Sequence, residues 1–126
     1  MNGFSMKRID ELTSIHHGAV KLAGDELGTV SFGMQVFDFP AGFRDYPAHD
    51  HAEDGQEEVY VVLDGSAEFE IAGTRTPADV GTMLRVEPTA RRTLTAGPEG
   101  VRILAIGCAT DGAYERPEAF RLAGRA

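Results

Sequence analysis

His49-Asp50-His51-Ala52-Glu53-Asp54-Gly55-Gln56-Glu57-Glu58-Val59-Tyr60-Val61-Val62-Leu63-Asp64-Gly65 holds both the strongest strand signal in the chain and a dense set of ionisable side chains. From Glu58 to Leu63 β-branched and aromatic residues dominate, which predicts a strand. Asp64-Gly65 suits the left-handed torsions of a tight turn, so the run reads as a hairpin with Ala67-Glu68-Phe69-Glu70-Ile71 returning as the partner strand. Upstream, His49 and His51 stand at i and i+2, so on an extended segment both imidazoles face the same way. Between them and Glu58, Ala52 to Gln56 reads as a polar loop.

Working outward, Thr29 to Phe39 alternates, with Phe32, Met34, Val36 and Asp38 on one side and Gly33, Gln35, Phe37 and Phe39 on the other, and it stops at Pro40. Pro40 to Pro47 reads as a turn, and Ala72-Gly73 as another. Met83 to Val86, Arg92 to Thr95 and Val101 to Ile106 are further short strands, separated by Pro88 and by Gly97-Pro98-Glu99-Gly100. At least six strands are predicted between Thr29 and Ile106, with no helical period among them. The fold class that follows is all-β, a small antiparallel β-barrel or sandwich. Residues 1–28 read as an N-terminal arm, irregular or with a short edge strand and ending in the turn Gly24 to Gly28. Residues 29–110 form the barrel and 111–126 a surface tail with room for one short helix.

A chain of 126 residues suits one domain. Twenty acidic against twelve basic residues give a formal charge of −8, which repels phosphate backbones and anionic lipid, so nucleic acid and membrane are not expected partners. No apolar run approaches the ~18 residues of a membrane span. Nor does an apolar segment follow Lys7 and Arg8 as a secretory signal requires, so the expected location is cytoplasmic. Cys108, the single cysteine, lies in an apolar strand and reads as a small buried residue. No phosphate loop, serine nucleophile elbow or glycosidase carboxylate pair is evident.

Two imidazoles and one carboxylate can hold a single divalent ion while leaving positions open for substrate or oxygen, and the set suits iron, manganese, nickel or zinc. Here the chain resembles a known family. His49-x-His51, then Glu58, then six residues to Gly65, with the ending Val61-Val62-Leu63-Asp64-Gly65, is similar to the first motif of the cupin superfamily. The resemblance implies the cupin jelly roll, a double-stranded β-helix, and a divalent metal held by His49, His51 and Glu58 at the barrel mouth. Two departures are visible. Six residues separate His51 from Glu58 where the family usually has three or four, and no His follows His51 to supply the fourth ligand of the second motif. Arg92 takes that place, or Thr93 if the segment gaps by one residue.

An Arg guanidinium has no lone pair to give a metal, but it grips a carboxylate or phosphate bidentately. Arg92 is therefore expected to turn toward an anionic substrate beside a three-ligand metal, to pair with Glu58 or an anion in a metal-free pocket, or to lie on the outer face. Tyr60 shares the face of Glu58, and Gln35 and Arg44 are candidate hydrogen-bonding groups of the same pocket. His16 and His17 precede the barrel and are placed outside it. The first functional reading is a stand-alone barrel that binds a small, anionic organic ligand. The alternatives are a mononuclear metal enzyme, an oxygenase or isomerase, and a structural or partner-binding module with a filled barrel. A homodimer is expected from the family resemblance and from the apolar arm, Ile9 to Leu22, which has little to bury itself against in a lone small barrel.

Overall fold

Two long strands organise the molecule, and both are longer than the sequence suggests. In the computed structural model, which describes residues 3–122, the elements are β1 (Ser14–Ile15), β2 (Val20–Lys21), α1 (Ala23–Leu27), β3 (Gly33–Phe39), β4 (Gln56–Ile71), β5 (Thr74–Asp79), β6 (Met83–Val86) and β7 (Arg92–Ala109). Single-turn 3-10 helices stand at Ile9–Glu11 and Glu118–Phe120. All pairings among the described residues are antiparallel, in the order β1-β2-β3-β7-β4-β5, with β6 also on β4. The all-β class is the one the strand spacing indicates.

The hairpin expected at Asp64-Gly65 is not there. β4 runs on through it, and its partner β7 runs on through Gly97-Pro98-Glu99-Gly100, so two predicted pairs of strands are two single strands. The turn chemistry has been spent on a shared bend instead. The β4–β7 register slips between Val62 and Asp64 and between Gly65 and Ala67, where four residues of β7 bulge opposite Ser66. Gly65 sits at φ +72°, and a Cβ there would lie 2.1 Å from the Gly100 carbonyl oxygen. The bend is sharp: Tyr60 and Phe69, nine residues apart on one strand and so about 30 Å apart if it were straight, bring their ring centroids within 5.5 Å. One antiparallel sheet thus closes over its own face into a barrel.

Thr74–Asp79 is a strand that the sequence reading does not include, and it contains Pro77. β5 is at the edge of the sheet, where a missing N–H is tolerated. Between Thr29 and Ile106 five strands replace the six or more expected.

Side chains from both halves of the bent strands fill one core, including Phe37, Phe39, Tyr60, Val62, Phe69, Leu94 and Ile103. The interior is packed. A second cluster lies on the outer face, where Leu12 and Ala23 cover Val36 with Ile9, Met34 and Leu104 beside them. The N-terminal arm is therefore not left uncovered: β2 extends the sheet beside β3, and Leu22 is buried. The turn expected at Gly24 to Gly28 is the short helix α1, and Gly28, at φ +83°, is its left-handed C-cap.

Candidate functional site

Three backbone pairings bring the site together. His49 and Arg92 face each other across a two-bond antiparallel bridge, His49 N donating to Arg92 O at 3.0 Å and Arg92 N to His49 O at 2.8 Å. Residues opposed in this way put their side chains on one face. His51 N donates to Pro88 O at 2.7 Å, and Gly55 N to His51 O at 2.8 Å. Glu58, near the start of β4, lies between Val86 of β6 and Gly107 of β7. A Cβ on Gly107 would come within 3.1 Å of Glu58 Cγ, so the glycine leaves the carboxylate its room.

The result is a cluster in which one ligand atom from each of His49, His51 and Glu58 lies within 4.8 Å of the others. The two imidazole rings are 5.1 Å apart and nearly perpendicular, and Tyr46 stands edge-on to His49 at 5.5 Å. His49 Nδ1 is 2.8 Å from the Pro47 carbonyl oxygen, which can only accept. Nδ1 therefore carries the proton, and Nε2 holds the lone pair. His51 Nδ1 is 3.0 Å from Asp54 Oδ1, which sets the same tautomer in the neutral ring. Its Nε2 is buried without a hydrogen-bond partner, 3.5 Å from Glu58 Oε1. Two imidazoles with Nε2 free and a carboxylate beside them form a donor set that can hold a divalent ion.

Glu58 is the electrostatic centre. Tyr60 Oη donates to its Oε1 at 2.7 Å, and Arg92 Nε lies 3.5 Å from the same oxygen. Burial pushes the Glu58 carboxyl up, but the contacts with His51 and Tyr60 and the charges of His51 and Arg92 outweigh it, so the net shift is down. His51 is raised, chiefly by its contact with Glu58, against the opposing effect of burial and with help from Asp54. Burial is the largest cause raising both Tyr46 and Tyr60, followed by the charge of Glu58 for Tyr46 and by Tyr46 and then Glu58 for Tyr60, which keeps the phenols neutral. The Tyr60 phenol is thereby held as a donor to Glu58.

Arg92 points inward. Its side chain is 1% exposed, with Nη2 donating to the Glu87 carbonyl at 3.2 Å and with no hydrogen-bond partner for Nε or Nη1 among the described residues. Thr93 faces elsewhere, donating from its hydroxyl to Tyr46 O at 2.8 Å and lining a groove outside the cluster. Arg92 is the residue that occupies the ligand-poor side of the cluster, and an outer-face position for it does not hold.

Other candidates fall in different places. Gln35 is opposite Ala105, itself opposite Tyr60, so it lies two strands from the cluster along one row of the sheet. Arg44 is not brought to the histidines. It lines a groove of about 760 Å³ with Glu68, Glu70 and Arg75, because the loop after β3 carries it past the bend toward the second halves of β4 and β7. His17 lines a second groove of about 620 Å³ with Asp38, Asp64 and Arg102, and His16 and His17 occupy the β1–β2 turn with positive φ. Cys108 is half-buried, its thiol donating to Ser31 O at 3.1 Å. Sequence reasoning missed Tyr46, whose hydroxyl is 3.3 Å from that of Tyr60, and Asp54. The signal for Asp54 was in plain view, since the loop that lengthens the motif contains it.

No family model matches the chain, and no curated protein does. Solved structures do. A cupin protein from Bacteroides fragilis superposes with a TM-score of 0.73 at 20% identity over 100% of both chains. KdgF from a Halomonas species gives 0.63 at 14% identity over 88% of this chain and 97% of the other. A putative sugar phosphate isomerase from Acidithiobacillus ferrooxidans gives 0.60 at 24% identity over 71% of this chain and 60% of the other. No helix among the described residues is long and apolar enough to cross a membrane.

Proposed function

We propose that this chain, whose fold is that of the cupins, binds a small organic molecule bearing a carboxylate or similar anionic group at the His49, His51, Glu58 and Arg92 cluster. Arg92 carries the reading. A buried guanidinium is costly unless its donors are met, yet among the described residues two of its three nitrogens find no hydrogen bond and one carboxylate, Glu58, stands near it. An anion with two oxygens would satisfy that fork. Because the core beneath is filled by Tyr60, Phe69 and Leu94, the ligand is expected to be small or to enter by one end.

The tautomers of His49 and His51 favour a second reading, a mononuclear metal enzyme. Iron, manganese, nickel or zinc held by His49 Nε2, His51 Nε2 and Glu58 would supply a Lewis acid, and iron could also handle oxygen. The residues around the ion have their own tasks. Pro47 O and Asp54 hold the two imidazoles, Tyr60 steadies Glu58, and Arg92 receives the anionic end of the substrate. Glu58 and Arg92 cancel in charge, so a divalent ion leaves the site net positive even with the carboxylate of Asp54 behind His51, which strengthens the preference for an anion in the metal reading. A homodimer belongs to the same proposal, supported now by the family resemblance and the exposed Leu63, Val80 and Met83 and no longer by the arm.

The test is calorimetric titration of untagged, chelator-free protein with malonate and with phosphate, alongside measurement of its metal content. Saturable binding weakened about 10-fold or more by Arg92→Met is expected, since hydrogen bonds to charged groups contribute about 1.5–3 kcal/mol. Equal binding by parent and variant overturns the assignment. A stoichiometric metal favours the enzyme reading.

A further inference from the structure

The loop that separates His51 from Glu58, longer than the usual spacing in the motif it interrupts, does something definite. It turns back so that Asp54 meets His51. Both carboxylate oxygens of Asp54 approach His51 Nδ1, at 3.0 and 3.2 Å. The same carboxylate is itself held in place, accepting from Gln56 N at 3.2 Å and from Gln56 Nε2 at 3.1 Å. The loop is closed at both ends, by Gly55 N on His51 O at 2.8 Å and Thr110 N on Gly55 O at 3.1 Å. Asp54 is therefore a tethered acceptor aimed at one ring nitrogen.

We infer that Asp54 is a positioning residue, which fixes His51 with its proton on Nδ1 and leaves its Nε2 lone pair for an ion shared with His49 and Glu58. The inference rests on the cluster of His51 and Glu58 being the working site, and it goes beyond it by giving the extra loop a role. An imidazole can turn about its two side-chain torsions and exchange tautomers, and a single carboxylate acceptor removes both freedoms. His49 obtains the same restraint from Pro47 O, a backbone acceptor that needs no side chain. His51 has no such carbonyl at its Nδ1, and the added residues supply a charged substitute. The charge matters as well. Arg92, 3.5 Å from Glu58 Oε1, repels a cation at the site, and the carboxylate of Asp54 offsets that from the opposite side of the imidazole. Four ligands would tolerate a loosely held imidazole; three with a guanidinium nearby would not.

The experiment has two readouts on untagged full-length protein. At a pH high enough for neutral imidazoles, long-range 1H–15N spectra of the metal-free protein report the tautomer of each ring. The parent should show the Nδ1–H form for both His49 and His51. Asp54→Ala should lose it at His51 and keep it at His49, which serves as the internal check that the site is still folded. Asp54→Asn should keep it, because the amide oxygen still accepts, and Gln56→Ala should keep it because Asp54 remains. The second readout is affinity for Ni2+ alone by calorimetry, expected to fall roughly 10–100-fold in Asp54→Ala, the range usual for an outer partner of a metal-bound His. An unchanged His51 tautomer in Asp54→Ala, or an unchanged Ni2+ affinity, overturns the inference. A parent that binds no Ni2+ defeats the metal reading of the site, and the tautomer spectra then decide the role of Asp54 on their own.

Discussion

Replacing Glu58 by Gln removes one negative charge from a place that can ill spare it. The Arg92 side chain is 1% exposed and that of Glu58 15%, and among the described residues Glu58 is the one carboxylate in salt-bridge range of the guanidinium. Breaking a buried pair by removing one partner typically costs about 3–5 kcal/mol, because the other charge stays behind uncompensated. The partial exposure of Glu58 and the remaining bond from Arg92 to Glu87 O place Glu58→Gln at the lower end, about 3 kcal/mol. For a domain of this size that lowers Tm by roughly 9–15 °C. Arg92→Met should behave differently. It removes a cation whose burial is poorly satisfied, and Glu58 keeps Tyr60 and His51, so the loss is expected within about 1 kcal/mol of zero. The double variant Glu58→Gln/Arg92→Met should therefore recover to near the Arg92→Met value, a coupling of about 2–3 kcal/mol. Calorimetric or fluorescence melts of metal-free protein at pH 7, in a buffer without carboxylates or phosphate, measure all three. Should the two single effects simply add to within about 0.5 kcal/mol, the two residues do not interact and the electrostatic description of the site is wrong.

Further outcomes follow from other parts of the structure. In the metal-free protein His51 is raised above its ordinary 6.5, so its contribution is present below that value and lost as pH rises through the folded-state value. Glu58 is depressed below 4.5, so its contribution is present above that value and lost as pH falls through the lower folded value. Melting temperature against pH should thus decline on both sides of a weakly acidic plateau, and His51→Gln should flatten the alkaline side; an unaltered alkaline limb contradicts the assignment. His49→Ala and His51→Ala should each lose most Ni2+ affinity by calorimetry, since two remaining ligands seldom hold the ion against water. Gly65→Ala and Gly81→Ala both incur the ~1–2 kcal/mol of a left-handed residue, but only at Gly65 does the new Cβ strike backbone, at 2.1 Å from Gly100 O. Urea unfolding should therefore show Gly65→Ala as much the worse, and equal losses would mean that β4 and β7 do not cross as described.

How much of this was legible in the sequence depends on the kind of signal. The phase of His49 and His51 and the position of Glu58 were readable because strand periodicity and a short motif both constrain them. The bend was misread because Asp-Gly announces a positive φ without saying whether the chain then reverses or merely bulges. That choice is made by β7, thirty-odd residues away, whose Gly97 and Gly100 allow the close crossing. β5 contains Pro77, which only an edge position excuses. The arm looked unpartnered because the outer face that receives Leu12 and Ala23 is built from β3 and β7, and nothing local to the arm reveals it. Arg92 could be placed opposite the histidines only to within one residue, and the bridge to His49 fixed it. Arg44, by contrast, carries no motif or periodicity that would place it, and the bend takes it to the groove with Glu68, Glu70 and Arg75.

The most direct test of an anion-gripping Arg92 is its own Nε–H resonance in 15N-labelled protein, assigned by its absence from Arg92→Met, during titration with malonate and then phosphate. Saturable movement of that signal at concentrations that leave the exposed Arg75 unmoved is the predicted result. An Arg92 signal that stays put while Arg75 shifts would mean that the anion meets only the surface, and the proposed site would have no ligand of this class.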